Sequence, residues 1–392
     1  MAIKRIGVLT GGGDVPGLNS SIKGIVEAGF IEGYETLGIC RGWEGLTHIN
    51  LDDPSSRGRY TMELNRYNTR TIDRTGGTIL HTSRTNPARM KSLPDHLKNF
   101  DFPKKENLKK EITWDVTGQV IKNIEKLQID CLITIGGDDT LSFAALLHNK
   151  GIPVVAIPKT MDNDVHNTEY CIGFSTAISR AVEAIQRQRS TIASHERIGV
   201  FRVFGRDAGY TSLYTAMVTS IRCGISEFKF NLDRMISLLM EDKTNNPSRY
   251  SLVVLSEGTE WDGYSTIEYG EADAYGHRKK RNVAEELANE IRMVTREETV
   301  VSDLTYELRS GEADFIDKMI ATTFGNMAVE CARDGRFGQM TAIKSGCYAM
   351  VDIPEASKGP RYIDVQTMYD TERYRPIYSK KEGLPLFLSR VV

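Results

Sequence analysis

The segment IGVLTGGGDVPGLN, residues 6–19, decides the fold, because an apolar run passes there directly into a glycine-rich loop. The run IGVL is typical of a buried strand. The glycines at 11–13 let backbone N–H groups approach an anion closely, since no Cβ intervenes and positive φ carries little steric penalty. A simple tight turn explains such a loop about as often as a phosphate site does. Its place at the carboxyl end of a strand favours the phosphate site.

Further strand-like runs occur along the chain, and amphipathic segments with helical spacing lie between them. The runs are residues 129–135, 153–157, 198–204 and 252–255. This alternation predicts α/β layers around a largely parallel sheet. Because 392 residues exceed the usual size of one hydrophobic core, we expect two domains packed around a cleft.

The composition is that of an ordinary globular protein, with 40% hydrophobic and 26% charged residues. A formal charge of −2 creates no global field that would draw the chain to nucleic acid or to an anionic membrane. The six cysteines are scattered without a C-x-x-C pair, which favours buried reduced thiols over disulfides or zinc. Since no stretch approaches the length of a bilayer span, we expect a soluble cytoplasmic protein.

A second loop of the same kind is GGDDT, residues 136–140, which follows the apolar run 129–135. A glycine pair followed by a carboxylate suits a magnesium and phosphate site, because Mg²⁺ takes few protein oxygens and completes its shell with substrate phosphates. Helix N-capping by Asp138 or Asp139 explains one aspartate. It does not explain two of them after Gly-Gly.

A third loop, PKTMDND, residues 158–164, follows the apolar run 153–157. Its lysine suits a phosphate clamp, and Asp162 and Asp164 suit general-base catalysis, in which a carboxylate takes a hydroxyl proton as the oxygen attacks phosphorus. Taken alone, DND is a calcium-type loop or a capped turn in roughly two cases of three. Three such loops at strand ends are together far more specific than any one of them.

In these three loops and in several further segments the sequence resembles the 6-phosphofructokinases, from the first strand to about Ala349. The further segments, in matching order, are RGWEGL (41–46), GGT (76–78), IGFSTA (172–177), FGR (204–206), SEG (256–258) and Tyr306 with Arg309. The resemblance implies an α/β fold of two Rossmann-like three-layer domains with largely parallel sheets. It also implies an active site in the cleft between them.

The resemblance implies a division of the chain between the two substrates. Residues 1–173 and about 309–355 are expected to form the phosphoryl-donor domain, which holds diphosphate and Mg²⁺. Residues 174–308 and about 356–392 are expected to form the sugar-phosphate domain. Two polar segments, 89–111 and 260–281, interrupt the strand and helix pattern, and we interpret them as flaps over the cleft.

The reaction implied by the resemblance is phosphoryl transfer to the 1-hydroxyl of fructose 6-phosphate, with Asp162 as the base and Asp138 holding Mg²⁺. The residues expected to act in catalysis are Asp162, Asp164, Arg206 and Thr160. The residues expected to bind the donor are Gly12, Gly13, Arg84, Gly137, Asp139 and Lys159. The residues expected to bind the sugar phosphate are Arg197, Phe204, Gly205, Glu257, Tyr306 and Arg309. Arg197 is expected to reach the 6-phosphate from a neighbouring subunit, which implies a homodimer or homotetramer.

The side chain at 139 decides the expected donor, because ATP-using members of the family have glycine there and leave space for the α-phosphate. A carboxylate about 4 Å from a phosphate oxygen costs on the order of 4 kcal/mol at an effective dielectric of about 20. Asp139 therefore provides roughly thousandfold discrimination against ATP. Lys159 stands where many ATP-users have glycine, and Arg84 is our hypothesis for a second cation on the leaving phosphate. The sequence is thus similar to the diphosphate-dependent members.

Several alternatives stay open at the level of sequence. Val300 occupies the place of a 6-phosphate-binding arginine usual in the family, so sedoheptulose 7-phosphate, a longer ketose phosphate, is an alternative acceptor. ATP is the alternative donor. The intact Asp138, Asp162 and Asp164 argue against a non-catalytic regulatory subunit, and the TMDND segment (160–164) argues against the NAD kinase and lipid kinase group.

Overall fold

The computed structural model describes residues 3–106, 112–272, 276, 278–379 and 381–383. Within these residues the chain builds one large and one smaller sheet, each flanked by helices. Among the residues described, none of the helices combines the length and the apolar character that crossing a membrane requires.

The strands are named in chain order. They are β1 (Arg5–Thr10), β2 (Glu35–Ile39), β3 (Thr61–Leu64), β4 (Lys104–Glu106), β5 (Ile112–Trp114), β6 (Cys131–Gly136), β7 (Val154–Pro158), β8 (Ile198–Val203), β9 (Arg222–Gly224), β10 (Ser251–Ser256), β11 (Glu268–Tyr269), β12 (Lys279–Lys280), β13 (Thr299–Asp303), β14 (Gln339–Lys344), β15 (Cys347–Asp352), β16 (Tyr369–Asp370) and β17 (Arg375–Pro376). The runs predicted at 129–135, 153–157, 198–204 and 252–255 are confirmed as β6, β7, β8 and β10.

The helices follow the same order. They are α1 (Leu18–Ile31), α2 (Trp43–His48), α3 (Pro54–Tyr60), α4 (Thr117–Lys126), α5 (Asp138–Asn149), α6 (Phe174–Ser194), α7 (Tyr210–Thr219), α8 (Leu232–Asn245), α9 (Val283–Thr295), α10 (Thr305–Leu308), α11 (Phe315–Arg333) and α12 (Val365–Met368). Short 3-10 turns occur at Ile72–Arg74, Asp95–Leu97 and Ala356–Lys358.

The large sheet has the strand order β15-β14-β7-β6-β1-β2-β3. Its five central strands run parallel, and β15 and β3 join the two edges antiparallel. The parallel strands bring the loops after β1, β6 and β7 to one edge, because the carboxyl ends of parallel strands lie together.

Buried side chains on both faces of the large sheet explain why its strands read as continuous apolar runs. In β6, Ile133 and Ile135 belong to the hydrophobic core that contains α1 and α11 residues, whereas Leu132 belongs to a second core with α4 and α5 residues. In β7, Val155 and Val154 divide between the two cores in the same way. Helices therefore cover both faces, as the three-layer prediction requires.

Two glycines allow α1 and α11 to approach closely. A Cβ at Gly24 would lie 2.7 Å from the backbone oxygen of Thr322, and a Cβ at Gly325 would lie 2.6 Å from that of Ser21. Any larger side chain at either position would push the two backbones apart. The contact between α1 and α11 thus packs an early segment of the chain against a late one, which leads into β14.

The smaller sheet is parallel throughout, in the order β13-β8-β10-β9. The C-terminal tail packs against it, since Tyr374 accepts a hydrogen bond from the backbone of Cys223 at 2.9 Å and Tyr369 Oη donates to the carbonyl of Cys223 at 2.7 Å. The predicted α/β fold with two largely parallel sheets is confirmed. The domain boundaries stay a prediction.

The two polar segments meet each other, because Lys91 Nζ donates a hydrogen bond to the carbonyl of Ala272 at 2.8 Å. The first segment contains β4, which pairs with β5 just beyond it. The second segment contains both strands of a small hairpin, β11 and β12. The prediction that they are flaps falls in part on residues 107–111, 273–275 and 277, which lie outside the described residues.

Candidate functional site: a phosphate cradle facing two arginines

A cavity of about 410 Å³ lies where the carboxyl ends of β1, β6 and β7 face the loop after β8. This volume is in the range typical of small-molecule sites. The predicted site residues that line it are Gly12, Gly13, Arg84, Gly137, Asp138, Asp139, Lys159, Thr160, Asp162, Asp164, Phe204, Arg206, Glu257 and Arg309. Fourteen positions far apart in the chain thus share one cavity.

The loop after β1 forms the floor of the donor side. Gly12 has φ of 81°, a left-handed conformation that favours glycine. Lys159, at the end of β7, reaches under this loop and donates from Nζ to the carbonyl of Gly13 at 2.5 Å. Only 3% of Lys159 is exposed. Burial lowers the pKa of Lys159 to about 8, and the charge of Arg309 adds to this shift.

Three carboxylates, those of Asp138, Asp162 and Asp164, form a cluster that lines the cavity. The glycine loops after β1 and β6, here called the cradle, lie beside it. Burial raises the pKa of Asp138 to about 8, and the charges of Asp164 and Asp139 add to the rise. Burial and the charge of Asp164 raise the pKa of Asp162 well above its usual value. Burial also raises the pKa of Asp164 to about 6. Such a concentration of negative charge suits a cation and a general base that works near neutral pH.

Thr160 forms hydrogen bonds with both aspartates of the DND loop. Its Oγ1 accepts a hydrogen bond from the backbone N–H of Asp162 at 3.2 Å, and its hydroxyl donates to the carboxylate of Asp164, which opposes the rise in the pKa of Asp164. Among the described residues, Oδ1 of Asp162 is buried and has no hydrogen-bond partner. An unpaired buried acceptor facing a cavity is ready to take a proton from a bound hydroxyl.

The first turn of α5 places Asp138 and Asp139 at the cradle, directly after Gly137. The positive end of the helix dipole favours negative charge there. Arg84 lies in the same wall of the cavity. Asp139 lines the cavity together with Gly12, Gly13 and Gly137, and its role toward the donor stays a prediction.

The two arginines predicted for the sugar phosphate also line the cavity, and Arg309 lies beside the loop after β1, where a Cβ at Gly13 would be 3.1 Å from its Nη1. Arg309 lies with its guanidinium 4.8 Å from the ring centre of Phe204 and 3.6 Å, Nη1 to Oδ1, from Asp14. Arg206 donates from Nη2 to Glu268 at 2.7 Å. Arginine at such a site is suited to bidentate phosphate recognition.

The neighbouring carboxylate Glu257 also lines the cavity, and its Oε2 lies 3.2 Å from Nη2 of Arg202. Gly205 does not line the cavity, but it lies between Phe204 and Arg206 with φ of 122°. A Cβ there would lie 2.6 Å from the carbonyl oxygen of Ala208. Glycine at 205 therefore shapes the turn that presents its neighbours.

Besides Gly205, two further predicted residues lie outside the cavity of their own chain. Arg197 pairs with Glu298 at 2.6 Å. Tyr306 is 72% exposed, although its ring lies 4.9 Å from the guanidinium of Arg309. The contact of Arg197 with a neighbouring subunit stays a prediction.

The cavity also has lining residues that the sequence reading missed. They are Asp14, Val15, Thr140, Met161, Asp207, Gly359 and Pro360. Asp14, Val15, Thr140 and Met161 lie within the three loops that the sequence singled out, and Asp207 directly follows the FGR segment, so the motifs located these residues without assigning them a role. Nothing in the local sequence indicates that Gly359 and Pro360 line a cavity, because only the tertiary fold brings the tail there.

Glycine loops, a buried lysine and clustered carboxylates at the edge of a parallel sheet define a phosphotransferase of the α/β class. The chain belongs to the phosphofructokinase family, whose model, described as "Phosphofructokinase", matches residues 5–332. That match spans both sheets except for β14 and β15.

Similar proteins carry names with two different donors. A pyrophosphate–fructose 6-phosphate 1-phosphotransferase from Streptomyces coelicolor is 34% identical over 367 residues, 92% of this chain and 96% of the relative. An ATP-dependent 6-phosphofructokinase 3 from the same organism is 32% identical and covers 90% of this chain and 94% of its own length. A solved pyrophosphate-dependent phosphofructokinase from Marinobacter aquaeolei has a TM-score of 0.74 at 16% identity, covering 97% of this chain and 90% of its own. That likeness supports the fold.

Proposed function

We propose that this chain transfers a phosphoryl group from inorganic diphosphate to the 1-hydroxyl of fructose 6-phosphate. The products are fructose 1,6-bisphosphate and phosphate, and the reaction runs in both directions because donor and product lie at comparable transfer potentials. The observation that carries the donor is Asp139, a carboxylate lining the cavity at the cradle. Relatives named for diphosphate support it, and relatives named for ATP make the donor the point to test.

In the forward step, Asp162 takes the proton of the 1-hydroxyl while that oxygen bonds to the nearer phosphorus of diphosphate. The bridging P–O bond breaks, and its electron pair leaves with the second phosphate. Lys159 and Arg84 lie on the donor side, where positive charge stabilises the leaving phosphate. Lys159 is charged below its pKa of about 8.

The carboxylate side of the cradle fits Mg²⁺. The described residues contain no group of three His, Cys, Asp or Glu side chains placed to hold a metal ion by themselves. Mg²⁺ needs no such group, because it binds through one or two carboxylates together with substrate phosphates. We propose that Asp138 holds it, since Asp138 is a buried carboxylate that lines the cavity and has Asp139 and Asp164 close by. The ion, when bound, neutralises charge on the phosphates.

On the acceptor side, we propose that Arg309 and Arg206 bind the sugar phosphate, with Glu257 and Asp164 close to the sugar. Tyr306 and a neighbouring subunit's copy of residue 197 complete the 6-phosphate site in a homodimer or homotetramer. We also propose the division of the chain into donor segments 1–173 and 309–355 and sugar segments 174–308 and 356–392. The two sheets and the packing of the tail support this division. A cytoplasmic location agrees with the proposed pair of small substrates, diphosphate and a sugar phosphate.

The donor assignment is tested by a coupled assay with fructose 6-phosphate and Mg²⁺, comparing diphosphate with ATP. We expect diphosphate to be strongly preferred, and Asp139→Gly to shift the donor ratio toward ATP by up to about a thousandfold. Asp139→Asn is the matched control, because it removes the charge and keeps the volume. A parent enzyme that prefers ATP, or an Asp139→Gly variant with an unchanged donor ratio, contradicts the proposal. Sedoheptulose 7-phosphate in place of fructose 6-phosphate tests the acceptor.

A further inference from the structure

Residues 359–363 of the C-terminal tail, here called the tail clasp, join the catalytic loop to the smaller-sheet side of the molecule. The backbone N–H of Arg361 donates to the carbonyl of Asp164 at 2.6 Å. The backbone N–H of Ile363 donates to Glu227 at 2.9 Å, and the carbonyl of Tyr362 accepts from Tyr210 Oη at 2.7 Å. The tail clasp therefore has partners on both sides of the cleft.

Within the tail clasp, the side chain of Arg361 lies directly behind the DND loop. It is 5% exposed. Its Nη2 donates to the carbonyl of Asn163, and its guanidinium carbon lies 4.7 Å from the ring centre of Tyr210. Its Nε and Nη1 are buried without a hydrogen-bond partner among the described residues.

Apolar packing alone does not account for this arginine. A buried donor without a partner costs about 1–3 kcal/mol, and more when the group is charged. The positive charge of Arg361 opposes the rise in the pKa of the buried Asp164, so the guanidinium compensates a carboxylate of the DND loop. The reason for a guanidinium at 361 therefore lies with that loop.

Arg361 also contributes to the conformation of the DND loop. Asn163, between the two carboxylates, has φ of 54°, a left-handed conformation that asparagine adopts more readily than most residues with a side chain. Its side chain is held by the carbonyl of Glu169 at 3.0 Å and by the backbone N–H of Cys171 at 2.8 Å. Its carbonyl, on the other side, is held by Arg361. The loop is thus clamped from both sides, and one clamp comes from the tail.

We propose that Arg361 is a positioning residue for phosphoryl transfer: it fixes the backbone at 163–164, so that the carboxylate of Asp162 meets the acceptor hydroxyl. This inference rests on the proposed function, in which Asp162 is the base. Residue 361 lies beyond the segment 5–332 that the family model matches. The catalytic loop of this chain therefore depends on a residue outside the matched family core.

The test compares Arg361→Met with the parent enzyme, full length, by steady-state kinetics and thermal unfolding. We expect kcat to fall about 100-fold, because a misplacement of about 1 Å at a reacting group has an effect of that size. The KM values for both substrates should change less than threefold, since Arg361 does not line the cavity. The unfolding temperature should stay within about 3 °C of the parent. Arg361→Lys, which keeps a donor and a charge, should recover part of kcat.

Arg222→Met is the matched control, because Arg222 is also a 5% exposed arginine that ties down the tail. Its Nη1 donates to the carbonyl of Arg373 at 2.6 Å, and it pairs with Asp242 at 2.7 Å. It does not line the cavity. We expect this variant to unfold at a lower temperature with kcat unchanged, which is the result of a purely structural arginine.

Two outcomes would overturn the inference. One is a folded Arg361→Met enzyme whose kcat lies within twofold of the parent. The other is a loss of kcat that accompanies a fall in unfolding temperature, with no recovery in Arg361→Lys. The ratio of variant to parent is measured with whichever donor the parent uses, diphosphate or ATP. If the donor proposal is wrong, the parent enzyme shows a preference for ATP. If the positioning role is wrong, the ratio of the kcat of Arg361→Met to that of the parent stays near one.

Discussion

The donor wall and the sugar wall of the cavity are built in different ways. The donor wall comes from three short loops at the ends of adjacent parallel strands, and its lysine, Lys159, is already bonded to the loop that would hold phosphate. The sugar wall comes from segments distant in sequence, and its arginines are paired with carboxylates. Arg206 pairs with Glu268 within the sugar wall, whereas Arg309 lies near Asp14 of the loop after β1 and so also borders the donor wall.

The donor wall is therefore preformed, whereas the arginines of the sugar wall exchange a carboxylate partner for the phosphate of the substrate. Charged groups held in place before the substrate arrives lose little free energy to reorganisation. An arginine already paired with a carboxylate must give up that contact when a phosphate binds. We therefore expect substitutions on the donor wall to act mainly on turnover and donor choice, and those on the sugar wall to act mainly on KM.

The largest effect is expected for Asp162→Ala. Removing the base should lower kcat by about 10,000-fold, the upper range for general-base catalysis, while the KM for fructose 6-phosphate changes little. The measurement is a coupled assay at saturating diphosphate, with the exposed Asp52→Ala as control. A residual kcat above one tenth of the parent would assign the base elsewhere.

A smaller effect is expected on the sugar wall, for Arg309→Met. Losing a charge-assisted contact of about 1.5–3 kcal/mol should raise the KM for fructose 6-phosphate about 10- to 100-fold. The KM for diphosphate should rise much less. Arg309→Lys keeps the charge but lacks the planar guanidinium, so its KM for fructose 6-phosphate should lie between those of the parent and Arg309→Met. Equal rises in both KM values would show that the walls do not act separately.

The pH dependence of diphosphate binding provides the third comparison. Burial lowers the pKa of Lys159 to about 8, so its ammonium is present below that pH and is lost as pH rises through it. We expect the KM for diphosphate to rise about tenfold between pH 7 and 9 through this group. Lys159→Arg is the control, because arginine stays charged across this range and diphosphate titrates equally in both enzymes. Identical profiles would rule out Lys159 as the titrating group.

The smallest effect is expected for Glu268→Gln, which releases Arg206 from its ion pair. Exposed ion pairs contribute about 0–1 kcal/mol, so the KM for fructose 6-phosphate should fall by about threefold. Glu271→Gln, in the same segment, serves as the control. A rise in KM would mean that Glu268 supports substrate binding and does not compete with it.

The parts of the site that the sequence made predictable are local. The strands before GGG, GGDDT and PKTMDND are confirmed, because apolar runs buried on both faces leave a clear signal. The loops follow those strands directly, so their place at one sheet edge follows from parallel topology. Phe204, Arg206 and Arg309 were found only through resemblance, since nothing in their local sequence indicates a phosphate site.

The parts that were missed are contacts between distant segments. The tail from about residue 356 was expected only to belong to the sugar-phosphate domain, yet Gly359 and Pro360 line the cavity and Arg361 contacts Asn163. From the sequence alone, a single arginine in a polar segment is expected to be exposed. Its burial depends on how the tail packs between the two sheets, which no short pattern encodes.

The sequence by itself determined the alternation of strands and helices, the three loops at strand ends and the charge at residue 139, because each is a property of neighbouring residues. The tertiary structure alone decided how Arg206 and Arg309 are paired and that the tail contacts the DND loop. These are properties of packing: burial and electrostatic coupling depend on every segment that surrounds a group. Those segments lie far apart in the chain, as Asn163 and Arg361 do, with a separation of 198.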